Sequence, residues 1–194
     1  MIMVAVTILN RLSELDGMRS YKDRETLQYL TEHDTLTGAY NRTSLKREYF
    51  LDKFFFMIDI DHFKRLNDNF NHEMGDKCLK KFAEIVRNNI RKDDRLIRYG
   101  GEEFIILFAG ESTEEEMQRR ADELRLRVEK ETSEIKDLAD PNFVAPFTIS
   151  VGVNYMNPNY TLEENIKVAD KYLYEAKEKG RNRVVSSLNS DHPW

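Results

Sequence analysis

A pair of glycines in the middle of the chain separates two short β-rich runs. Residues 95–99 precede Gly100 and Gly101, and residues 104–108 follow shortly after them. Two such runs around a Gly-Gly pair are typical of a β-hairpin, because glycine allows the backbone of a tight turn. The turn also carries two acids, Glu102 and Glu103. The sequence therefore predicts an antiparallel strand pair with carboxylates in its turn.

A predicted strand at residues 53–60 supplies a further acid. Its apolar run at 54–58 is too continuous for a half-exposed strand and short enough for a central one, and it closes on Asp59 and Asp61. Carboxylates brought together by different strands repel unless a cation or proton intervenes, and Mg²⁺ takes one or two carboxylates while sharing phosphate oxygens with its substrate. In a ferredoxin-like sheet Asp59 would lie beside the hairpin acids and form a nucleotide and metal site. The alternative is a surface hairpin with solvated acids.

The remaining pattern predicts helices and strands around this pair. Helices are expected at 62–70, 76–91, 112–136 and 162–179, and Asn41 could cap another that runs through Leu45 to about Leu51. Residues 71–75 are expected to form a turn, because Asn71 and Gly75 tolerate positive φ. Further strands fall at 147–155 and 184–185. The order β-α-α-β-β-α-β-α-β predicts an α+β fold in which helices flank a central, mostly antiparallel, ferredoxin-like sheet.

The first 32 residues are predicted to form a helical connector. Apolar residues recur there at helical spacing, namely Val4, Ile8, Leu12 and Leu15. Two interpretations stay open: a helix packed on its own domain, or a dimerising stalk that relays signals from an upstream sensor or membrane domain. The apolar stretch at 1–9 is shorter than the roughly 20 residues that cross a bilayer. We expect a globular domain at 33–187 and a disordered tail at 188–194.

Charge and cysteine content limit the classes of partner and site. The chain has 194 residues and a formal net charge of -5, so no overall attraction draws it to nucleic acid or anionic lipid. A phosphate-bearing ligand must instead be held by local groups, such as a metal and a few basic side chains. Cys78 is the only cysteine, which excludes an intramolecular disulfide and a cysteine-rich zinc site and fits a cytoplasmic setting. We expect Cys78 to serve as a small buried apolar residue.

The hairpin turn stands among other recognisable segments in a fixed order. Its own sequence is Tyr99-Gly100-Gly101-Glu102-Glu103-Phe104. The others are Asp34-Thr35-Leu36-Thr37-Gly38 with Asn41-Arg42, Asp59-Ile60-Asp61-His62-Phe63-Lys64 with Asn67-Asp68, Phe70-Asn71-His72 through Gly75-Asp76, Thr148-Ile149-Ser150-Val151-Gly152-Val153, and Ala169-Asp170 with Tyr174, Ala176-Lys177 and Gly180-Arg181-Asn182. Together they resemble the GGDEF-domain diguanylate cyclase family, in the variant with Glu at the third signature position. The resemblance covers about residues 34–185.

The resemblance implies a nucleotidyl-cyclase fold related to the polymerase palm, and a specific reaction. Two GTP molecules would be condensed into cyclic di-GMP with release of two pyrophosphates, using Mg²⁺, with Mn²⁺ as an alternative. Each subunit of a homodimer would hold one GTP. The protein would act in the cytoplasm, either free or tethered to the inner face of the membrane in a longer native protein. A catalytically silent receptor for GTP or cyclic di-GMP is the alternative.

The resemblance also assigns the metal and catalytic roles. The metal ligands would be the side chains of Asp59 and Glu102 and the backbone carbonyl of Ile60. Glu102 would also be the candidate for accepting the proton of the attacking 3′-hydroxyl, while Glu103 would support the site from the same turn. Lys64 would stabilise charge in the transition state.

The substrate-binding roles fall on a second group of positions. Asn67 and Asp76 would read the guanine, Asp76 by accepting from N1 and N2, although a plain helix N-cap is the alternative for Asp76. The side chains of Lys177 and Arg181 and the backbone amides near Phe63 would bind the triphosphate. Gly100 and Gly101 would let a phosphate approach the backbone closely.

A last feature of the resemblance is an inhibitory site for the product. Arg91 and Asp94 have the RxxD spacing of the family and precede the hairpin. Arg91 would stack on or hydrogen-bond a guanine of cyclic di-GMP, and Asp94 would accept from it. The alternative is an i,i+3 ion pair at a helix end. A second arginine usually completes such a site, and the sequence does not identify it.

Overall fold

A mixed six-stranded sheet forms the centre of the domain in a computed structural model, which describes residues 18, 26–27, 29–46, 50, 53–134 and 143–191. Within these residues the strands are β1 (Tyr40–Asn41), β2 (Phe54–Ile60), β3 (Arg95–Arg98), β4 (Glu103–Leu107), β5 (Ile149–Tyr155) and β6 (Val184–Val185). Their order in the sheet is β1-β3-β4-β2-β5-β6. The inner pairs β3·β4, β4·β2 and β2·β5 are antiparallel, and the outer pairs β1·β3 and β5·β6 are parallel. The predicted α+β, mostly antiparallel fold is confirmed.

Helices cover both faces of this sheet. The described α-helices with printed bounds are α1 (Phe63–Asn69), α2 (His72–Arg87), α3 (Glu114–Ser133) and α4 (Leu162–Glu178). Phe56 and Ile58 of β2 pack in one cluster with residues of α2 and α3, whereas Phe55 and Met57 pack in another with residues of α4. Because both of its faces are covered, every residue of β2 is buried, which explains the unbroken apolar run. Cys78 lies in the first cluster as expected, and burial raises the pKa of its thiol to about 12.

The connection between α1 and α2 differs from the sequence prediction. Residues 71–75 are not a turn, because α2 already begins at His72. Asn71 is its N-cap, with φ 148° and a side-chain oxygen that accepts from the Met74 amide at 2.9 Å. Gly75 lies inside the helix, and Asp76 follows it, so Asp76 is not an N-cap. The positive φ expected at Asn71 is present, but it belongs to a helix cap rather than to a turn, because an Asn side chain can also cap a helix that begins at the next residue.

The segment after Asn41 also differs from its prediction. Asn41 caps a short 3-10 helix, Arg42–Ser44, rather than an α-helix. The predicted helix does not continue through Leu45, because Leu45 has an extended ψ of 122°. Positions 47–49 and 51 of that predicted helix lie outside the described residues.

The described ends of the chain touch the domain at defined points. Of the predicted connector at 1–32, residues 18, 26–27 and 29–32 are described, and all are helical. His33 stacks between Tyr29 and Tyr40, with ring centroids 4.0 and 4.3 Å away. At the other end, residues 188–191 belong to the predicted disordered tail, yet the Asp191 amide donates to Glu175 at 2.9 Å. None of the described helices combines the length and apolarity needed to cross a membrane.

Candidate functional site

The end of β2 and the turn of the β3·β4 hairpin meet at one edge of the sheet. Asp59 lies directly opposite Glu103 on one side and Ser150 on the other. The Ile60 amide donates to the Glu102 carbonyl at 3.3 Å, which fixes the turn against the strand end. The strand register therefore brings together Asp59, Ile60, Glu102 and Glu103, the residues predicted for the metal and base roles.

The hairpin turn closes without left-handed glycines. The amides of Tyr99 and Gly100 both donate to the Glu103 carbonyl, at 2.8 and 3.2 Å. Among the described glycines, Gly100 and Gly101 do not have a positive φ, so the turn does not depend on a left-handed backbone. A Cβ on Gly100 would lie 2.5 Å from Glu103 Oε2, whereas a Cβ on Gly101 would meet nothing within 4 Å. A Cβ at Gly100 would therefore require the Glu103 carboxylate to move, whereas Gly101 presents an open backbone face.

Asp59 is the electrostatic centre of this site. Burial raises the pKa of its carboxyl to about 6, and the negative charges of Glu102 and Glu103 act in the same direction. A hydrogen bond from Lys177 opposes them, with Nζ 2.8 Å from Oδ2. Glu102 and Glu103 thus place negative charge beside Asp59, and Lys177 offsets part of it. Such a site attracts a cation.

The oxygen donors at this edge fit a hard divalent cation. Asp59, Glu102 and the Ile60 carbonyl offer oxygen ligands, which Mg²⁺ prefers, and Mg²⁺ uses only one or two carboxylates when substrate phosphates supply the rest. Among the described residues, no three His, Cys, Asp or Glu side chains form a complete metal-binding group. The oxygen donors at this edge therefore suit a Mg²⁺ ion that is shared with a nucleotide.

The predicted phosphate-binding cations occupy different positions. Lys177, near the end of α4, points at Asp59 rather than standing free. Lys64 is exposed on the first turn of α1, one residue after Phe63, and no side chain caps that helix end. Arg181 follows α4 with a left-handed φ of 63°. The structure thus places one of the predicted phosphate ligands on the predicted metal ligand.

Asn67 and Asp76 lie on two helices that approach unusually closely. A Cβ on Gly75 of α2 would lie 2.0 Å from Asn67 Oδ1 of α1. That oxygen is buried and has no hydrogen-bond partner among the described residues. A buried polar atom without a partner is costly and commonly indicates a missing ligand or water. Asp76, the next residue after Gly75, is exposed and available to a ligand.

Arg98 is a site residue that the sequence reasoning missed. Its guanidinium donates to the Gly101 carbonyl through Nε at 3.1 Å and Nη2 at 2.8 Å. The same group pairs with Asp34 at 3.0 Å, in the segment that opens the domain. Arg98 therefore ties the hairpin turn to that segment. Its position in a predicted strand gave no signal, because the alternation of a strand does not say which partner a side chain meets.

The residues of the predicted inhibitory site are arranged differently from a simple ion pair. The Asp94 carboxylate is buried and accepts from the amides of Arg91 at 2.9 Å and Ala109 at 2.8 Å. In the described chain its ion-pair partner is Arg120 of α3, 3.6 Å away, whose guanidinium also covers the Phe108 ring. Arg91 lies after the end of α2 and is exposed. Asp94 thus holds the loop internally and links it to a second arginine.

Comparison with known proteins gives several matches. The family model described as "Diguanylate cyclase, GGDEF domain" matches residues 31–183. The chain is 37% identical over 169 residues to the probable diguanylate cyclase DgcT of Escherichia coli strain K12, which covers 80% of this chain and 36% of that protein. It is 42% identical over 135 residues to diguanylate cyclase A of Treponema denticola, covering 69% of this chain and 35% of that protein. The chain spans about a third of the length of these relatives.

Solved structures give the same grouping. The GGDEF domain of DgcB from Caulobacter crescentus, in complex with c-di-GMP, matches with a TM-score of 0.71 and 28% identity, covering 82% of this chain and 94% of that one. The coiled coil and GGDEF domain of the same protein matches with a TM-score of 0.79 over 94% of this chain and 98% of that one; at 24% identity this bears on the fold alone. Because the family model spans most of the sequence and the structural matches agree with it, the chain belongs to the GGDEF-domain diguanylate cyclase family.

Proposed function

We propose that this domain is a Mg²⁺-dependent diguanylate cyclase that condenses two GTP molecules into cyclic di-GMP and two pyrophosphates. The observation that carries the proposal is the register of β2 and β4, which sets Asp59 beside the acids of the Gly-Gly-Glu-Glu turn. The relatives named as diguanylate cyclases support it. So does the DgcB domain in complex with c-di-GMP.

The side chains divide the work of phosphoryl transfer. Mg²⁺, or Mn²⁺ in its place, would be held by Asp59, Glu102 and the Ile60 carbonyl and would neutralise phosphate charge. Lys64 would stabilise charge on the transferring phosphate, because a positioned cation at the reacting group lowers the barrier. Lys177 and Arg181 would bind the remaining phosphates. For Lys177 this requires that its ammonium exchange the Asp59 carboxylate for a phosphate oxygen.

Glu102 has two proposed duties that compete for one carboxylate. As a ligand it would share its charge with the metal, and as a base it would take the proton of the attacking 3′-hydroxyl. Glu103, across from Asp59, would keep the turn in register and add negative charge to the site.

Guanine selection would rest on the contact between α1 and α2. The exposed carboxylate of Asp76 can accept from the N1 and N2 hydrogens that guanine presents together and adenine does not. Asn67 would pair with the same base, and its buried oxygen without a partner is the feature that supports this role. GTP is therefore expected in preference to ATP.

Two domains would have to face each other, because each carries one such site and the reaction joins two nucleotides. A homodimer is thus part of the proposed mechanism. The connector at 1–32 would bring the domains together or relay a signal to them, and a sensor domain upstream would fit this arrangement.

Turnover of GTP tests the proposed function directly. The purified chain would be incubated with GTP and Mg²⁺, after removal of bound product, and the products separated by chromatography. Cyclic di-GMP and pyrophosphate are expected from GTP, and no cyclic product from ATP. GTP binding without any cyclic di-GMP, under conditions where dimer forms, would instead identify a silent receptor and overturn the proposal.

Metal binding is expected to weaken in mild acid. The pKa of Asp59 is raised to about 6, so this carboxyl is ionised above that pH and protonated below it. Since a metal requires the ionised ligand, Mg²⁺ affinity should fall about tenfold per pH unit below pH 6 and level off above it. Titration of the protein with Mn²⁺ or Mg²⁺ at several pH values checks this. In Asp59→Asn the step near pH 6 should disappear; a step that persists would assign it to another group.

Gly75→Ala is expected to weaken GTP binding about tenfold. The added methyl would lie 2.0 Å from Asn67 Oδ1 and displace the proposed guanine ligand. Alanine otherwise favours a helix by about 1 kcal/mol, so a loss of binding cannot come from poorer helix formation. Calorimetric titration with GTP measures the effect, with Lys80→Ala as the control on the exposed face of α2. Unchanged affinity would show that GTP binding does not depend on the present position of the Asn67 side chain.

Product inhibition is proposed at Arg91, Asp94 and Arg120. Asp94 would hold Arg120 in place, and the two guanidinium groups would bind the guanines of cyclic di-GMP. Both Arg91→Ala and Arg120→Ala should raise the inhibitory product concentration about tenfold or more. Arg119→Ala is the matched control, since Arg119 is an exposed neighbour on α3 that pairs with Glu123. A variant at Arg91 that is still inhibited at the wild-type concentration would refute the site.

A further inference from the structure

Asp61 forms a buried carboxylate network at the end of β2. Its Oδ1 accepts from the Ser150 hydroxyl at 2.6 Å, and its Oδ2 accepts from the Thr148 hydroxyl at 2.7 Å. The same Oδ2 accepts from the Asn182 backbone amide at 3.0 Å. The two hydroxyl contacts fix the rotamer, since turning the carboxylate would break both. The fixed carboxylate therefore holds the backbone that follows α4.

The backbone that Asp61 holds is in an unusual conformation. Gly180, Arg181 and Asn182 have φ values of 107°, 63° and 45°. Left-handed backbone costs energy for residues other than glycine, and it persists where surrounding contacts enforce it. Here the Arg181 amide donates to Ala176 at 3.0 Å, and Arg125 of α3 donates to Asn182 Oδ1 at 2.9 Å. Among these contacts, the one from Asp61 comes from the end of β2, the strand that carries Asp59.

We propose that Asp61 is a positioning residue that holds the 180–182 turn and thereby directs Arg181 toward the triphosphate of GTP. The inference rests on the proposed function, in which Arg181 binds phosphate. Asp61 and Asp59 lie on the same strand end, so one short piece of backbone sets both the proposed metal ligand and the anchor of the phosphate-binding arginine.

The structure suggests why a carboxylate is used here. All three neighbours of Asp61 are donors: two hydroxyls and one amide. An ionised carboxylate accepts from all of them with two charged oxygens, whereas asparagine offers one neutral acceptor oxygen and no charge. Asp61→Asn therefore keeps the size of the side chain and weakens its hold on the turn.

Asp61→Asn is expected to raise the KM for GTP about tenfold, with a smaller change in kcat. Because only the phosphate contact is affected, binding of GMP measured by calorimetry should stay within about twofold of wild type. Asp68→Asn, the same substitution at an exposed position on α1, is the matched control and should change neither. Equal losses for GTP and GMP would indicate a general structural role and overturn the inference.

A double-mutant cycle with Arg181→Ala provides the second readout. If Asp61 acts through Arg181, Asp61→Asn should have little further effect on KM once the arginine is gone. Additive effects would contradict the inference. Should Asp61→Asn fail to fold, Ser150→Ala removes the donor to Oδ1 and should give a smaller KM rise that also vanishes without Arg181. A folded Ser150→Ala with wild-type KM would overturn the inference as well.

The two proposals fail in different ways. Absence of cyclic di-GMP from the wild-type protein would refute the proposed function. An active wild-type protein whose Asp61→Asn variant loses GTP and GMP binding equally would refute the positioning role alone.

Discussion

Glu102→Gln should lower the rate of cyclic di-GMP formation by at least about a hundredfold. The substitution keeps the shape of the side chain but removes the charge that would bind metal and accept the proton. The turn itself should survive, because Glu102 is linked to β2 through its backbone carbonyl. Product formation would be followed by chromatography and folding by thermal unfolding.

A matched variant separates charge loss at the site from charge loss in general. Glu111→Gln changes an exposed glutamate after β4, so it should retain wild-type activity. Glu102→Gln activity within about threefold of wild type would contradict both proposed roles of Glu102.

Metal titration then distinguishes the two duties of Glu102. Loss of a ligand weakens metal affinity, so high Mg²⁺ or Mn²⁺ should restore part of the activity. Loss of a general base leaves the bound metal in place, and added metal should not help. Rescue to the wild-type rate would show that Glu102 acts as a metal ligand and is not required as the general base.

Gly152→Ala is expected to lower the free energy of unfolding by about 3 kcal/mol. Gly152 lies on β5 where α4 crosses the sheet, and a Cβ there would be 2.2 Å from the Ala169 carbonyl oxygen and 2.6 Å from the Leu173 amide nitrogen. Both neighbours are helix backbone, so no side chain can rotate away to make room. Urea unfolding followed by circular dichroism measures the change.

Gly101→Ala is the matched control for stability. Its Cβ would meet nothing within 4 Å, so the unfolding free energy should change by less than about 0.5 kcal/mol. Equal destabilisation by the two substitutions would show that the contact between α4 and β5 is not what requires glycine at 152. Because Gly101 faces the proposed phosphate site, its variant is used for stability alone.

The sequence predicted the core strand β2 correctly because its apolar pattern directly indicates burial on both faces. A strand whose residues are apolar throughout must be covered on both faces, and β2 is covered by α2 and α3 on one side and α4 on the other. The hairpin was equally readable, since β-rich runs flank a glycine pair. The boundary at 71–75 was not, because Asn and Gly favour a turn and a helix cap alike until the partner helix is known.

The two lysines and the arginine of the site show the limit of motif reasoning. Lys177 was expected on phosphate, and the structure pairs it with Asp59, since a buried carboxylate takes the nearest cation. Arg98 was expected only as part of a strand, and it holds both Asp34 and the Gly101 carbonyl. Lys64 is exposed on α1, and its role on the transferring phosphate stays a prediction.

The hairpin around Gly100 and Gly101 shows which features are local in the sequence and which depend on the tertiary structure. The sequence by itself determined the strand pair, its acids, the α+β order and the family, because local periodicity and ordered motifs are properties of the chain. Only the tertiary structure decided that Asp59 faces Glu103, that Asp94 meets Arg120, and that Asp61 holds Asn182. These contacts join residues far apart in sequence, and their geometry depends on strand register and helix packing, which no local pattern specifies.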